Sequence, residues 1–294
     1  MIVLGPDDAL RYPMYPAYIF SVDNEKKEKV KVGYIYLDTF SPADAMQAFL
    51  DFKETLSKFK AKCVKSIVID TINNGGGSLG LGIALAQTLS KKKLELPGIQ
   101  LRLSDSWLLE FREQADNPGY NPTVKRLKQM AYDSLEKDIA DGRWLSSPLP
   151  IEALGDFTSW IDTYNSPGSE TKIVVLVNEM CASMCDIFSA IMQDNKRAVI
   201  MGAQSMGAGG NVVNHSSSPR TNFQVRQTES LITRNNGSYI ENNGTTPDIE
   251  LVVNTDAKNK YSNIINKALA EAAKSNEVVI QPVPAPAPAE VAQN

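Results

Sequence analysis

The chain has 294 residues, of which 43% are hydrophobic and 22% charged, with a formal net charge of −4. That length is enough to bury one large core or two modest ones, and the negative balance argues against the basic footprint of a nucleic-acid binder. No apolar run approaches the ~20 residues needed to span a bilayer. Asp7, Asp8, Arg11 and three prolines interrupt Met1 to Phe20, so no signal-peptide pattern stands there.

In chain order, Val30 to Leu37 alternates as a strand, and Pro42 to Phe59 reads as an amphipathic helix with Ala45, Phe49, Phe52 and Leu56 on one face. The apolar run Ser66 to Asp70 ends in a polar loop containing Gly75, Gly76 and Gly77, and a helix is predicted from about Leu79. Three successive bare residues let backbone amides approach a ligand closely. No Lys-Ser or Lys-Thr follows them and the spacing is not GxGxxG, which disfavours a nucleotide site. The plain alternative is a flexible turn with a helix start at Ser78. Leu94 to Trp160 reads as an insertion, with a charged helix over Thr123 to Ala140 and a break at Asn117 to Pro122. Trp107, Phe111 and Trp144 are candidate pocket walls there, although packing within the insertion is the favoured reading.

A buried strand, Ile173 to Val177, then runs into a small-residue turn and directly into a helix, which would present Ser183 at a helix N-terminus among free backbone N–H groups. Serines also start helices as simple caps, and Asp186 three residues on is close to a capping box. Cys181 and Cys185 bracket Ser183 and read as small buried residues packing this turn, with a redox-sensitive pair as the minority reading. They and Cys63 make no disulfide framework, and one histidine cannot readily complete a metal site with them. Past a glycine-paced loop at Met206 to Gly210 and two hairpin-like strands, Glu241 is expected at a strand end beside the turn formers Asn242, Asn243 and Gly244. His215, the chain's one histidine, lies in a polar run and reads as exposed. A helix over Tyr261 to Lys274 precedes a Pro/Ala-rich tail expected to be disordered. The alternation of strands and helices implies a layered α/β fold.

Three segments together resemble the carboxyl-terminal (tail-specific) processing serine peptidases, and more closely the branch typified by the chlamydial protease-like activity factor. The family's D-x-R-N-N-x-G-G is similar to Asp70 to Gly77, with Ile72 in place of the Arg. Its nucleophile motif, x-A-S-x-S-E, resembles Cys181 to Asp186, and the following D-N-x-R-A is matched by Asp194 to Ala198. The I-E-N-x-G-x-x-P motif of the chlamydial branch stands as Ile240 to Pro247. The resemblance covers roughly Val32 to Ala272. It implies a crotonase-like spiral of β-β-α units with an inserted helical segment, a Ser183 nucleophile, a Glu241 that orients a histidine, and an oxyanion hole from Met184 N–H with Gly76 or Gly77.

Most of the family uses a serine and lysine dyad, but Ala208 occupies the lysine's place. In the chlamydial branch the base is a histidine upstream of the core, and this sequence has none before Val32. A serine without a positioned base is a poor nucleophile near neutral pH. The expected organisation is a lead-in over 1–31, possibly truncated from a longer protein, a peptidase core over 32–275 with its insertion at about 94–160, and a tail over 276–294. The expected function is a serine endopeptidase core acting on a polypeptide through an acyl-enzyme on Ser183, with the base on another segment. The alternative is an inactive polypeptide-binding module on the same scaffold. A crotonase-type acyl-CoA enzyme would leave the co-occurring Ser183 and Glu241 motifs unexplained. No cofactor, metal, nucleic acid or membrane span is expected, a homodimer is left open, and the resemblance slightly favours a periplasmic or secreted setting.

Overall fold

The run Ser66–Asp70 is buried at every position, a pattern that suits a strand covered on both faces. In the computed structural model, which describes residues 14–155, 171–215, 224–251 and 260–274, it forms β3 at the centre of a six-stranded sheet. Its companions are β1 (Ala17–Asp23), β2 (Lys29–Tyr36), β6 (Lys172–Val177), β7 (Val199–Gly202) and β11 (Ile249–Glu250), in the order β1-β2-β3-β6-β7-β11. All neighbours run parallel except β1 with β2, whose register sets Ala17 opposite Ile35 and Asp23 opposite Lys29. Ala17–Asp23, expected within a lead-in, is therefore an edge strand of the main sheet.

One face of the sheet carries α1 (Ala45–Ala61), α2 (Leu79–Thr88) and α5 (Met184–Asp194). Phe49, Phe52, Leu56 and Phe59 form the buried face of α1, while Asp44 caps its start by accepting the Gln47 N–H at 2.9 Å. The other face is covered by α6 (Lys260–Ala273), whose Ile264, Ala268, Leu269 and Ala272 meet Val32, Val68, Val174 and Leu176. Ile72, which stands where the family motif has Arg, is buried in this second cluster. The α/β layering expected from alternation is what is observed.

A second sheet, β10-β4-β5, joins Ser230–Thr233, Gly98–Leu101 and Leu149–Pro150, and a separate hairpin pairs β8 (Val212–His215) with β9 (Val225–Thr228). Between β4 and β5 stand α3 (Asp105–Asp116) and α4 (Pro122–Ala140), which pack as a pair. Asn121 caps α4 by accepting from Thr123 and Val124 N–H, with Pro122 in the first turn, where its missing N–H costs nothing. Trp107 and Phe111 stack on each other at 5.9 Å, and Trp144 is 74% exposed. The expected tail over 276–294 and the end of the insertion lie outside the described residues.

In the second core the Tyr34 hydroxyl donates to Asp70 Oδ2, and Asp70 Oδ1 accepts the Ile72 N–H at 3.0 Å. Burial raises the Asp70 pKa, and these two bonds partly offset the effect. Tyr34→Phe should leave a buried carboxyl oxygen without its donor and cost about 1–3 kcal/mol of stability. Urea denaturation measures this, and an unchanged midpoint would refute it.

Candidate active site

Strand β6 ends against the sheet, and the chain reverses through Asn178 to Ala182 before entering α5. Ser183 sits at the junction with φ 55° and ψ −121°, a conformation that costs a non-glycine residue on the order of 1–3 kcal/mol and persists only where the surroundings impose it. They do so from both sides: Ser183 N–H donates to Ala208 O at 3.0 Å, and Ala182 N–H to Asn74 O at 3.1 Å. Cys181 and Cys185, expected mainly as packing residues, form a disulfide across the turn with Cα atoms 5.2 Å apart. The capping alternative fails on geometry, because the Ser183 hydroxyl makes no cap bond. Asp186, expected as half of a capping box, accepts from Ser205 Oγ, from Gly207 N–H at 3.0 Å and from Ala208 N–H at 2.9 Å, and the Ser183 N–H also helps to stabilise its charged form.

The glycine loop is held by its asparagines. Asn73, at φ 65°, exchanges two hydrogen bonds with the Asn178 side chain, of 2.9 and 2.8 Å. Buried Asn74 donates from Nδ2 to Leu37 O and accepts the Gly76 N–H on Oδ1, both at 2.8 Å. Gly76 N–H is therefore occupied, and of the two glycine amides expected at an oxyanion hole only that of Gly77 has no partner among the described residues. Gly76 serves by its lack of a side chain: a Cβ there would stand 2.6 Å from both Ala182 O and Ser183 Cβ, and 2.8 Å from Met184 N. Phe40 bonds on either side of Gly77, donating to Gly76 O and accepting from Ser78 N–H, which turns the Gly77 amide away from Phe40. Met184 N–H, at the first position of α5, likewise has no intrahelical partner.

Ser183, Gly77 and Met184 all line one cleft of about 640 Å³. Its apolar wall comes from Leu79, Ile99, Ile151, Leu154, Ile187 and Ile232. The insertion thus contributes Ile99, Ile151 and Leu154 rather than Trp107, Phe111 or Trp144, because the first two aromatics face each other and the third faces solvent. Ala208, Gly209 and Gly210 form another part of the lining.

Glu241 lies behind Gly210, in a turn that follows the isolated bridge between Thr233 and Tyr239 rather than at the end of a strand as expected. Its Oε2 accepts the Ile232 N–H at 2.9 Å, while Oε1 is buried with no hydrogen-bond partner among the described residues. Burial raises the Glu241 pKa; backbone N–H groups of Glu241, Ile232 and Gly210 oppose the rise, and the Asp186 charge adds to it. His215 ends β8 opposite Val225, and its side chain lies outside what is described. Sequence reasoning missed the roles of Asp186 and Asn74; the family's acidic residue at the end of the nucleophile motif was the available signal for the first. Among the described residues no group of His, Cys, Asp and Glu gathers as a metal site, and no helix is long and apolar enough to cross a membrane.

Comparison with known proteins adds to this geometry. A family model described as Peptidase family S41 matches residues 31–251. A protein of Chlamydia trachomatis is 29% identical over 279 residues, which is 85% of this chain and 45% of that protein. A carboxy-terminal-processing protease of Bartonella bacilliformis is 37% identical over 121 residues, covering 41% of this chain and 25% of its own length. Among solved structures, the crystal structure of mature CPAF aligns with a TM-score of 0.77 at 26% identity, over 95% of this chain and 57% of that one. The chain spans about half the length of the curated relatives it matches.

Because the folded state raises the Glu241 pKa above its ordinary 4.5, the native protein binds this proton more tightly than the unfolded chain. The stability the proton confers is fully present below the unfolded value and is lost as pH rises through the folded one. The melting temperature of Glu241→Gln should therefore gain on that of the original protein as pH rises through this window, then level off. A difference independent of pH would contradict a carboxyl group whose pKa is raised by burial.

Proposed function

The chain belongs to peptidase family S41, and from that premise we propose that it is the nucleophile-bearing core of a serine endopeptidase. In this reading Ser183 Oγ attacks the scissile carbonyl, and the oxyanion that develops is held by the N–H groups of Gly77 and Met184. Two such donors aimed at developing charge are typically worth about 10²–10³ in rate each. Glu241 orients a histidine that takes the Ser183 proton and passes it to the leaving amine, after which water releases the acyl group. The same reading describes the layered sheets as a crotonase-like spiral of β-β-α units, which the parallel run β2-β3-β6-β7 supports.

The observation that carries the proposal is Glu241 Oε1, a buried carboxylate oxygen with no donor among the described residues. Leaving such an atom unpaired is costly, and an imidazole N–H would both satisfy it and be fixed in one tautomer. Ala208 supplies no amine in its place, and the sequence holds a single histidine, His215. The base we propose is a histidine contributed by polypeptide other than these 294 residues. Without it the site retains only the oxyanion donors and binding, a residue of about 10³–10⁴-fold over water in comparable triads.

Labelling with a fluorophosphonate, mapped by mass spectrometry, tests this. Modification of Ser183 should be slow in this chain and absent in Ser183→Ala. Millimolar imidazole, a diffusible stand-in for the missing base, should accelerate it, and Glu241→Gln should blunt that acceleration. Rapid labelling without imidazole that disappears in His215→Ala would overturn the proposed base and install His215. No modification of Ser183 under any of these conditions would overturn the peptidase reading and leave a peptide-binding groove.

A further inference from the structure

Among the described residues that line the cleft, Arg226 alone carries a charged side chain. Arg226 is exposed, and its guanidinium has no carboxylate or other hydrogen-bond partner among the described residues. The strand geometry explains how it reaches the cleft. Alternate residues of a strand share a face, so Arg226 and Thr228 of β9 point the same way, and both line the cleft. In register across the hairpin, Val212 stands opposite Thr228 and Asn214 opposite Arg226.

The position along β9 relates Arg226 to the reacting centre. A Cβ on Gly210 would lie 2.9 Å from Thr228 Cγ2 and 3.1 Å from Glu241 Oε1, so Thr228 marks the corner where Glu241 approaches the cleft. Arg226 is two residues further out, about 7 Å along the strand. An extended peptide rises by the same ~3.4 Å per residue, so a guanidinium there addresses a substrate group about two residues away from the corner beside Glu241.

Resting on the peptidase reading of this cleft, we propose that Arg226 is a specificity-determining residue that selects polypeptides carrying a carboxylate close to an apolar side chain. The apolar group enters between Ile99, Ile151, Leu154 and Ile232, and the carboxylate meets the guanidinium, a planar fork suited to bidentate pairing. Two sources share this chemistry: the side chain of Asp or Glu, and the free carboxyl end of a polypeptide. Because Arg226 is exposed, the pair is screened by salt, and its effect falls on substrate choice more than on total affinity.

The test is binding, so that it does not depend on turnover. Fluorescently labelled, end-blocked peptides with one leucine and one glutamate walked along an otherwise neutral sequence are titrated into the full chain carrying Ser183→Ala. Each is compared with its glutamine counterpart, and an all-neutral peptide is run with a free or an amidated carboxyl end. At low salt one glutamate position, or the free end, should bind about twofold to fivefold more tightly than its neutral counterpart, the range expected of a charged pair at an exposed site. The advantage should vanish in Arg226→Gln, and Arg226→Glu should prefer lysine at the same position. Preference confined to the free end assigns the carboxylate to a chain terminus; preference confined to glutamate assigns it to a side chain. Equal binding of charged and neutral peptides, or a preference that survives Arg226→Gln, overturns the role of Arg226 while leaving the cleft a peptide site. Failure of every peptide to bind removes the peptide-cleft reading, and this inference with it.

Discussion

The site hangs on one buried residue, which binds through both its side chain and its main-chain carbonyl. Asn74 is fully buried, and it joins three pieces of backbone that are far apart in sequence: Leu37 just past β2, Gly76 in the glycine loop, and Ala182 in the turn before α5. Together with the two Asn73–Asn178 bonds, these contacts hold the glycine loop against the Ser183 turn. With them, the loop is pressed so close that Gly76 has no room for a Cβ beside Ala182 O and Ser183 Cβ. The left-handed backbone of Ser183 is then imposed from two directions, by Asn74 through Ala182 and by Ala208 through its carbonyl. Strain of this kind survives only where the surrounding structure over-determines it, and here it keeps the hydroxyl free of the capping bond a serine would otherwise make.

Two carboxylates flank the loop Met206–Gly210, and they differ in how fully they are satisfied. Asp186 is fully buried but has three donors, two of them backbone N–H groups of the loop itself, so it works as a fixed anchor. Glu241 has one donor on Oε2 and none on Oε1. Desolvation raises both pKa values, and each is held partly in check by hydrogen bonds that favour the charged form. A group that is buried and incompletely paired marks a place where stability has been given up, and such places concentrate at functional sites.

Much of this was legible in the sequence. The short apolar runs of β3 and β6 and the amphipathic α1 could be read from the sequence, and the order of the motifs placed Ser183, the glycine loop and Glu241 in one family pattern. The rest depended on distances that spacing does not encode. Ala17–Asp23 alternates too weakly to reveal that it would find β2 as an edge partner. Asp186 looked like a cap because the capping box and the loop anchor place an acid at the same offset from a serine; only the backbone angles of Ser183 distinguish them. Which glycine amide is free was likewise unreadable, since it turns on Asn74 claiming Gly76. The aromatics of the insertion were the most visible candidates for the cleft wall, yet stacking with each other satisfies Trp107 and Phe111 first. Arg226 carried no motif and emerges only from the register of β9.

The absence of a lysine at 208 is consistent with the shape of the loop around it. Ala208 N–H is bound to Asp186 and its carbonyl to Ser183 N–H, so its backbone is a spacer between the anchor and the strained turn. Gly210, two residues on, cannot carry a side chain: its Cβ would fall 2.0 Å from Ser230 O and 3.1 Å from Glu241 Oε1. That bareness allows Glu241 to approach the cleft from behind the loop. A lysine ammonium reaching inward from 208 would bring a second charge to the same small region and compete for the Glu241 carboxylate, which would then be paired and no longer available to orient a base. The glycine-lined loop, the unpaired carboxylate oxygen and the small residue at 208 are thus compatible with the proposed mechanism, in which the proton acceptor is held by Glu241 rather than carried on the loop.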